Sequence, residues 1–111
     1  MLDKTSLMND LLDWYEDLLT KKQKEIMHLY YHENLSLREI ALELSISHNA
    51  VYDAIKKVEQ RLSQLEESLG CVATQKRIDH LLIRLRALNQ PEVLDILLEY
   101  ENNDHGGKKY E

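Results

Sequence analysis

The chain has 111 residues, enough for one domain or a small domain with a helical extension. Its 14 Lys+Arg stand against 20 Asp+Glu, a formal net charge of −6, which is not the footprint of a strong nonspecific nucleic-acid binder. Hydrophobic residues make up 43%, enough for a core, but no run of 18 apolar residues exists, so no membrane-spanning helix is expected.

Gly and Pro are scarce, Leu is abundant and Val rare, which favours helix over sheet and predicts an all-α fold. The opening MLDKTSLMND lacks a basic region followed by an apolar stretch, so no secretory signal is expected. A single cysteine, Cys71, excludes an internal disulfide and fits a reducing cytoplasm. Charge is uneven along the chain. Residues 1–20 hold one basic and five acidic side chains, and residues 91–111 hold two and six. Residues 76–90 reverse the balance, with four basic and one acidic.

Apolar spacing predicts helix throughout. Leu7, Met8, Leu11, Leu12, Tyr15, Leu18 and Leu19 recur at three and four, giving one amphipathic helix over roughly 5–19. Thr20 is placed to cap the next helix, with Gln23, Ile26, Met27 and Tyr30 on one face and Glu33-Asn34 at its end. Ser36-Leu37-Arg38-Glu39 is a capping box that starts a short helix with Leu37, Ile40, Ala41 and Leu44 inside. Ser47 caps a long helix that Gly70 ends.

Along that long helix Val51, Ile55, Val58, Leu62, Leu65 and Leu69 are spaced 4, 3, 4, 3, 4, an a/d seam of about three heptads. A further helix holds Ile78, Leu81, Leu82, Leu85 and Leu88. Pro91 then opens a last helix to about Glu101, apolar nearly all round and therefore expected to be buried in the core or at an interface. The seam and this last helix together predict self-association as a homodimer or higher oligomer. The expected organisation is a single all-helical domain over 1–101, with a core at about 20–69, a C-terminal extension at about 72–101 and a disordered tail at 102–111.

The stretch LSLREIALELSISHNAV carries the signal of a helix-turn-helix. Ala41 is small where two helix backbones must approach. Four positions on, the turn visits the left-handed region, where Gly is preferred and Ser45 stands instead. Ile46 fills the core beneath the turn, Ser47 caps the second helix, and Val51 and Ile55 pack inward. The outward side chains at the start of that helix include Ser47, His48, Asn49, Tyr52, Lys56 and Lys57, the set expected to face a DNA major groove.

The segment LTKKQKEIMHLYYHENLSLREIALELSISHNAV resembles region 4 of sigma factors. The whole chain, from about Leu7 to Tyr100, resembles the YlxM-like family of small bacterial helix-turn-helix proteins. The Leu12-Asp13-Trp14-Tyr15 opening, the Tyr30-Tyr31 pair and the Arg77–Arg86 helix carry that resemblance. Genes of that family lie beside those of the signal recognition particle, so the resemblance implies a regulatory role in protein targeting. It implies two readings: a DNA-binding transcriptional regulator, or an accessory protein that docks on signal recognition particle protein or RNA. The chain departs from the sigma pattern at Ala54, where a basic residue is common, and Asp53 and Glu59 dilute the lysines beside it. Phosphate contacts supply most nonspecific affinity, so a chain of this charge is expected to bind weakly unless dimerised.

Other constellations have plainer roles. His28 and His32 have an i, i+4 spacing that can hold zinc, but no Glu follows His28 and no third ligand is adjacent, so no metal is expected. Cys71 reads as a small apolar filler rather than a nucleophile paired with His80. Trp14, Tyr15, Tyr30 and Tyr31 read as core or core-edge residues rather than base-stacking groups. Lys76, Arg77, Arg84 and Arg86 form either a solvated face or an RNA- or phosphate-binding patch, the interaction surface of the second reading. No phosphate loop or paired carboxylates are present, so neither enzyme activity nor a cofactor is expected.

Overall fold

The computed structural model describes residues 4–103. The described residues form six α-helices: α1 (Lys4–Tyr15), α2 (Lys21–Met27), α3 (Leu37–Leu44), α4 (His48–Leu69), α5 (Cys71–Ala87) and α6 (Pro91–Asn103). No strand occurs among the described residues, so the fold is all-α. The chain divides into two compact units between Val72 and Ala73. The 20–69 segment lies in the first unit, and nearly all of the 72–101 segment lies in the second.

Local chemistry sets the helix boundaries. The Thr20 hydroxyl accepts the Gln23 N–H at 3.1 Å, and the Gln23 side chain accepts the Thr20 N–H at 3.0 Å, a closed capping box for α2. Past Met27 the helix widens into a π-helical turn over His28–His32, with the Glu33 N–H reaching the His28 carbonyl at 2.9 Å. Asn34 then takes a left-handed conformation, φ 60°, which ends the run. Gly70 does the same for α4 at φ 64°, its N–H on the Glu66 carbonyl at 2.8 Å. Asn89, at φ 52°, breaks the chain between α5 and α6.

The first helix is shorter than its apolar spacing suggested. It is α-helical to Tyr15 and tightens into a 3₁₀ turn over Glu16–Leu18. The turn lets Leu19 drop into the core in an extended conformation just before the α2 cap.

The core of the first unit is built on α4, which packs against α1, α2 and α3. Met8, Leu11, Leu12 and Tyr15 from α1 meet Ile26 and Met27 from α2 and Ile40 from α3. The α4 seam lies beneath them, with Val51, Ile55, Val58 and Leu62 all buried. The expectation that this seam needs a second chain is therefore corrected over most of its length. Its first four members are covered by the chain's own α1–α3, and Leu69 alone of the seam is plainly exposed.

Tyr15 closes one end of this core. Its hydroxyl donates to Glu66 Oε1 at 2.7 Å and accepts the Cys71 N–H at 3.0 Å. The same Glu66 oxygen accepts the Val72 N–H at 3.0 Å. The opening amides of α5 thus find partners although Gly70, which precedes them, has no side chain to cap with.

The second unit differs from its expectation. Of α6, Leu97 is buried, while Ile96, Leu98 and Tyr100 are exposed. Apolar residues cover a broad arc of the helix beside an acidic flank of Glu92, Asp95 and Glu99, and the chain by itself covers one stripe of that arc. Helix α6 also runs two residues past Glu101, so Asn102 and Asn103 belong to it, and the rest of the expected tail lies outside the described residues.

Candidate nucleic-acid interface

Helices α3 and α4 and the turn between them are held by short-range hydrogen bonds. The Glu39 N–H donates to Ser36 Oγ at 3.1 Å, and the Ser36 N–H donates to Glu39 Oε1 at 2.8 Å. That backbone amide holds the Glu39 carboxyl below the usual range. Ser45 occupies the left-handed region at φ 56°, ψ 44°, and the Ile46 N–H donates to the Ala41 carbonyl at 3.1 Å. Ser47 then caps α4 by accepting the Ala50 N–H at 3.0 Å. Ile40 and Val51 are fully buried on either side of the turn, while Ala41, Leu44 and Ile46 pack partly buried against the same core.

This packing turns the other side of early α4 outward. Ser47, His48, Asn49, Tyr52, Lys56 and Lys57 are all exposed, together with Asp53. They occupy the first three turns of the helix. Ser47 uses an oxygen lone pair for the cap, which leaves its hydroxyl hydrogen available to donate. The Lys56 Nζ lies 5.5 Å from the centre of the Tyr52 ring, within cation–π reach. Ala54, at the position where sigma-type helices commonly carry a basic residue, is partly buried and packs against the core.

Glu59 does not lie on this outward face, contrary to the sequence reading. It is buried at 8% exposure and accepts a hydrogen bond from the Tyr31 hydroxyl. Its Oε1 lies 3.0 Å from Lys4 Nζ and 3.7 Å from Lys56 Nζ. Burial pushes the Glu59 carboxyl upward, but the Tyr31 and Lys4 hydrogen bonds and the nearby ammonium groups outweigh it, and the net shift is downward. The hydrogen bond to Glu59 likewise raises Lys4, and burial raises Tyr31 well above the usual phenol range. The Glu59 charge is therefore directed inward, on the cations at the edge of α4.

Lys4 was missed by sequence reasoning. It stands 52 positions before Lys56, and only the fold brings both ammonium groups to one carboxylate. One signal for Glu59 was present: it falls four after Ile55 and three before Leu62, on the inner face of the helix.

The histidines, the cysteine and the aromatic residues take plainer places. The rings of His28 and His32 lie 4.5 Å apart, and His28 Nε2 is hydrogen-bonded to the Glu16 carboxylate. Among the described residues no group of three His, Cys, Asp or Glu is placed to hold a metal. Cys71 packs half-buried against the core of the first unit. Tyr15 and Tyr31 are core residues with bonded hydroxyls, and Tyr30 packs at the core edge. Trp14 is the exception, at 48% exposure: the buried face of α1 runs through Leu11, Leu12 and Tyr15, and Trp14 falls outside it. Lys76, Arg77, Arg84 and Arg86 are all exposed on α5, but Arg86 forms an ion pair with Glu101 and is not simply solvated.

A family model described as "Putative helix-turn-helix protein, YlxM / p13 like" matches residues 2–100. The chain belongs to this family. It is 49% identical over 90 residues to a UPF0122 protein of Exiguobacterium sibiricum, covering 81% of this chain and 85% of that one. It is 46% identical over 86 residues to a UPF0122 protein of Halalkalibacterium halodurans, covering 78% and 79%. A UPF0122 protein of Bacillus cereus is 45% identical over 92 residues, covering 83% and 84%. Membership agrees with the all-α fold and with the α3–turn–α4 geometry. Among the described residues no helix is long and apolar enough to cross a membrane.

Proposed function

We propose that this chain is a cytoplasmic, non-enzymatic regulatory protein that binds double-stranded DNA through the start of α4. Ser47, His48, Asn49, Tyr52, Lys56 and Lys57 face the major groove, and no cofactor takes part. The observation that carries the reading is the turn itself. Ser36, Ser45 and Ser47 fix two helices against Ile40 and Val51, and the side chains left outward are polar, aromatic and basic. Lys56 and Lys57 supply phosphate contacts, Lys4 adds a third cation nearby, and Asn49 has the amide geometry to pair with adenine. A two-fold assembly would present two such helices to two half-sites and offset the acidic balance of each chain.

The test is duplex binding followed by fluorescence anisotropy across a salt series. Lys56→Glu with Lys57→Glu should weaken binding and flatten the dependence of log K on log salt by about 0.9 for each phosphate no longer neutralised. Absence of duplex binding even at low salt, where counterion release helps most, would sink the reading.

A second reading rests on α5, the most basic segment of the chain. There Arg77 and Arg84 are exposed and seven apart, on one face. In that reading the chain docks on signal recognition particle protein or RNA through Lys76, Arg77, Arg84 and Arg86, and modulates targeting. Capture of purified particle components that survives Lys56→Glu/Lys57→Glu and is abolished in Arg77→Ala/Arg84→Ala would favour it over DNA.

A further inference from the structure

The second unit holds two helices and little core of its own. Between Ala73 and Asn103, Leu97 is the one buried large apolar residue among those described. Two helices with one buried leucine cannot offset the entropy of ordering them, so such a unit calls for further apolar cover.

The uncovered surface has a defined pattern. Along α5 and the turn residue that follows it, Ile78, Leu81, Leu85 and Leu88 are spaced 3, 4, 3, an a/d seam. Its a positions, Ile78 and Leu85, are half-buried, but its d positions are open, Leu81 at 53% and Leu88 at 58% exposure. A shallow groove of about 270 Å³ runs along it, lined by Leu81, Arg84, Leu85 and Leu88. On α6, Val93, Ile96 and Tyr100 repeat the spacing as 3, 4, with Ile96 at 64% and Tyr100 at 41% exposure.

The charges beside the two seams are opposite. In heptad terms Arg77 and Arg84 immediately precede the a positions of α5, at g. Glu92 and Glu99 immediately precede the a positions of α6, also at g. Charges at such flanking positions select the partner of a helix seam, and antiparallel pairing sets g against g. All four side chains are exposed, and among the described residues none of them forms an ion pair within the chain. The pair that does form, Arg86 with Glu101, uses other faces of the two helices.

We propose that this surface docks a second copy of the chain. The α5 seam of one copy packs antiparallel on the α6 seam of the other. Arg77 and Arg84 stand opposite Glu92 and Glu99 of the second copy, and the reciprocal pairing completes a two-fold, four-helix contact. A surface with a basic and an acidic seam side by side is complementary to itself under two-fold rotation. The proposal supplies the surface for the two-fold assembly invoked above, and its test uses no DNA.

The test is charge exchange in the full chain, read by sedimentation velocity and multi-angle light scattering. The unmodified protein is expected to be dimeric at tens of micromolar. Arg77→Glu/Arg84→Glu places like charges in both halves of the contact, as does Glu92→Arg/Glu99→Arg. Each is expected to weaken the dimer about tenfold or more, from four attractions turned to repulsions. Mixing the two variants restores opposite charge at every pair and should restore a dimer, which a merely unfolded variant would not do. Far-UV circular dichroism checks that each variant is helical. An unmodified protein that stays monomeric would leave this face to a different partner and overturn the assignment. So would variants as dimeric as the parent, or a mixture that remains monomeric.

Discussion

The Tyr31 hydroxyl donates to the Glu59 carboxylate, joining the turn after α2 to α4 across 28 positions of sequence. Glu59 in turn draws Lys4 and Lys56 to itself. A buried carboxylate thus anchors the helix whose outer face carries the proposed DNA contacts.

Removing that donor leaves the carboxylate buried with one partner fewer. Tyr31→Phe should therefore destabilise the protein by about 1–3 kcal/mol, because an unpaired buried acceptor bears its full desolvation penalty. Urea denaturation measures it. Tyr30→Phe, on the half-buried neighbour, is the control and should cost far less.

Glu59 also predicts a direction of pH dependence. Its folded-state pKa is depressed, so the unfolded chain takes up this proton first as pH falls. The stabilisation is fully present above the ordinary Glu range, about pH 4.3, and is lost as pH drops through the lower folded value. Denaturation midpoints measured from neutral to acid pH should fall in that window. Glu59→Gln should start lower at neutral pH and lose less on acidification. Parallel curves for the two proteins would show that Glu59 is not the coupled group.

The turn gives a pair of opposed stability changes. Ser45 holds a left-handed conformation that costs an L-residue about 1–2 kcal/mol, partly offset by the greater freedom glycine loses on folding. Ser45→Gly should raise stability by about 0.5–1 kcal/mol on that balance. Ala41 packs partly buried against the core, so Ala41→Leu should cost about 1–3 kcal/mol, while Arg38→Leu on the exposed side should be near neutral. Thermal melts of the three variants decide both points.

Asn49 tests reading of sequence rather than affinity. It is exposed in the first turn of α4, where side chains of a recognition helix meet base edges. Asn49→Ala should narrow the difference in affinity between duplex sequences by about 1–3 kcal/mol at the position it reads. Lys57→Ala should weaken all sequences alike. Binding to a randomised duplex pool, sequenced before and after selection, separates the two outcomes.

What the sequence by itself determined is what acts within about four residues. The Thr20 cap, the Ser36 capping box, the Ser47 cap, the left-handed Ser45 and the Gly70 stop are each read from neighbours in the chain, because a helix end is satisfied locally. The exposed start of α4 followed from the same spacing. Tertiary structure decided which apolar face meets which. The α4 seam has the same 4, 3, 4 spacing whether its cover is a second chain or α1, and only the fold shows that α1–α3 supply it. It also decided that Trp14 lies at the rim and that α6 is left mostly open. The inward turn of Glu59 and the arrival of Lys4 beside it depend on contacts 28 and 55 positions apart, which no local pattern encodes. A carboxylate on a helix prefers water unless distant donors replace that water, and only the assembled core brings those donors to it.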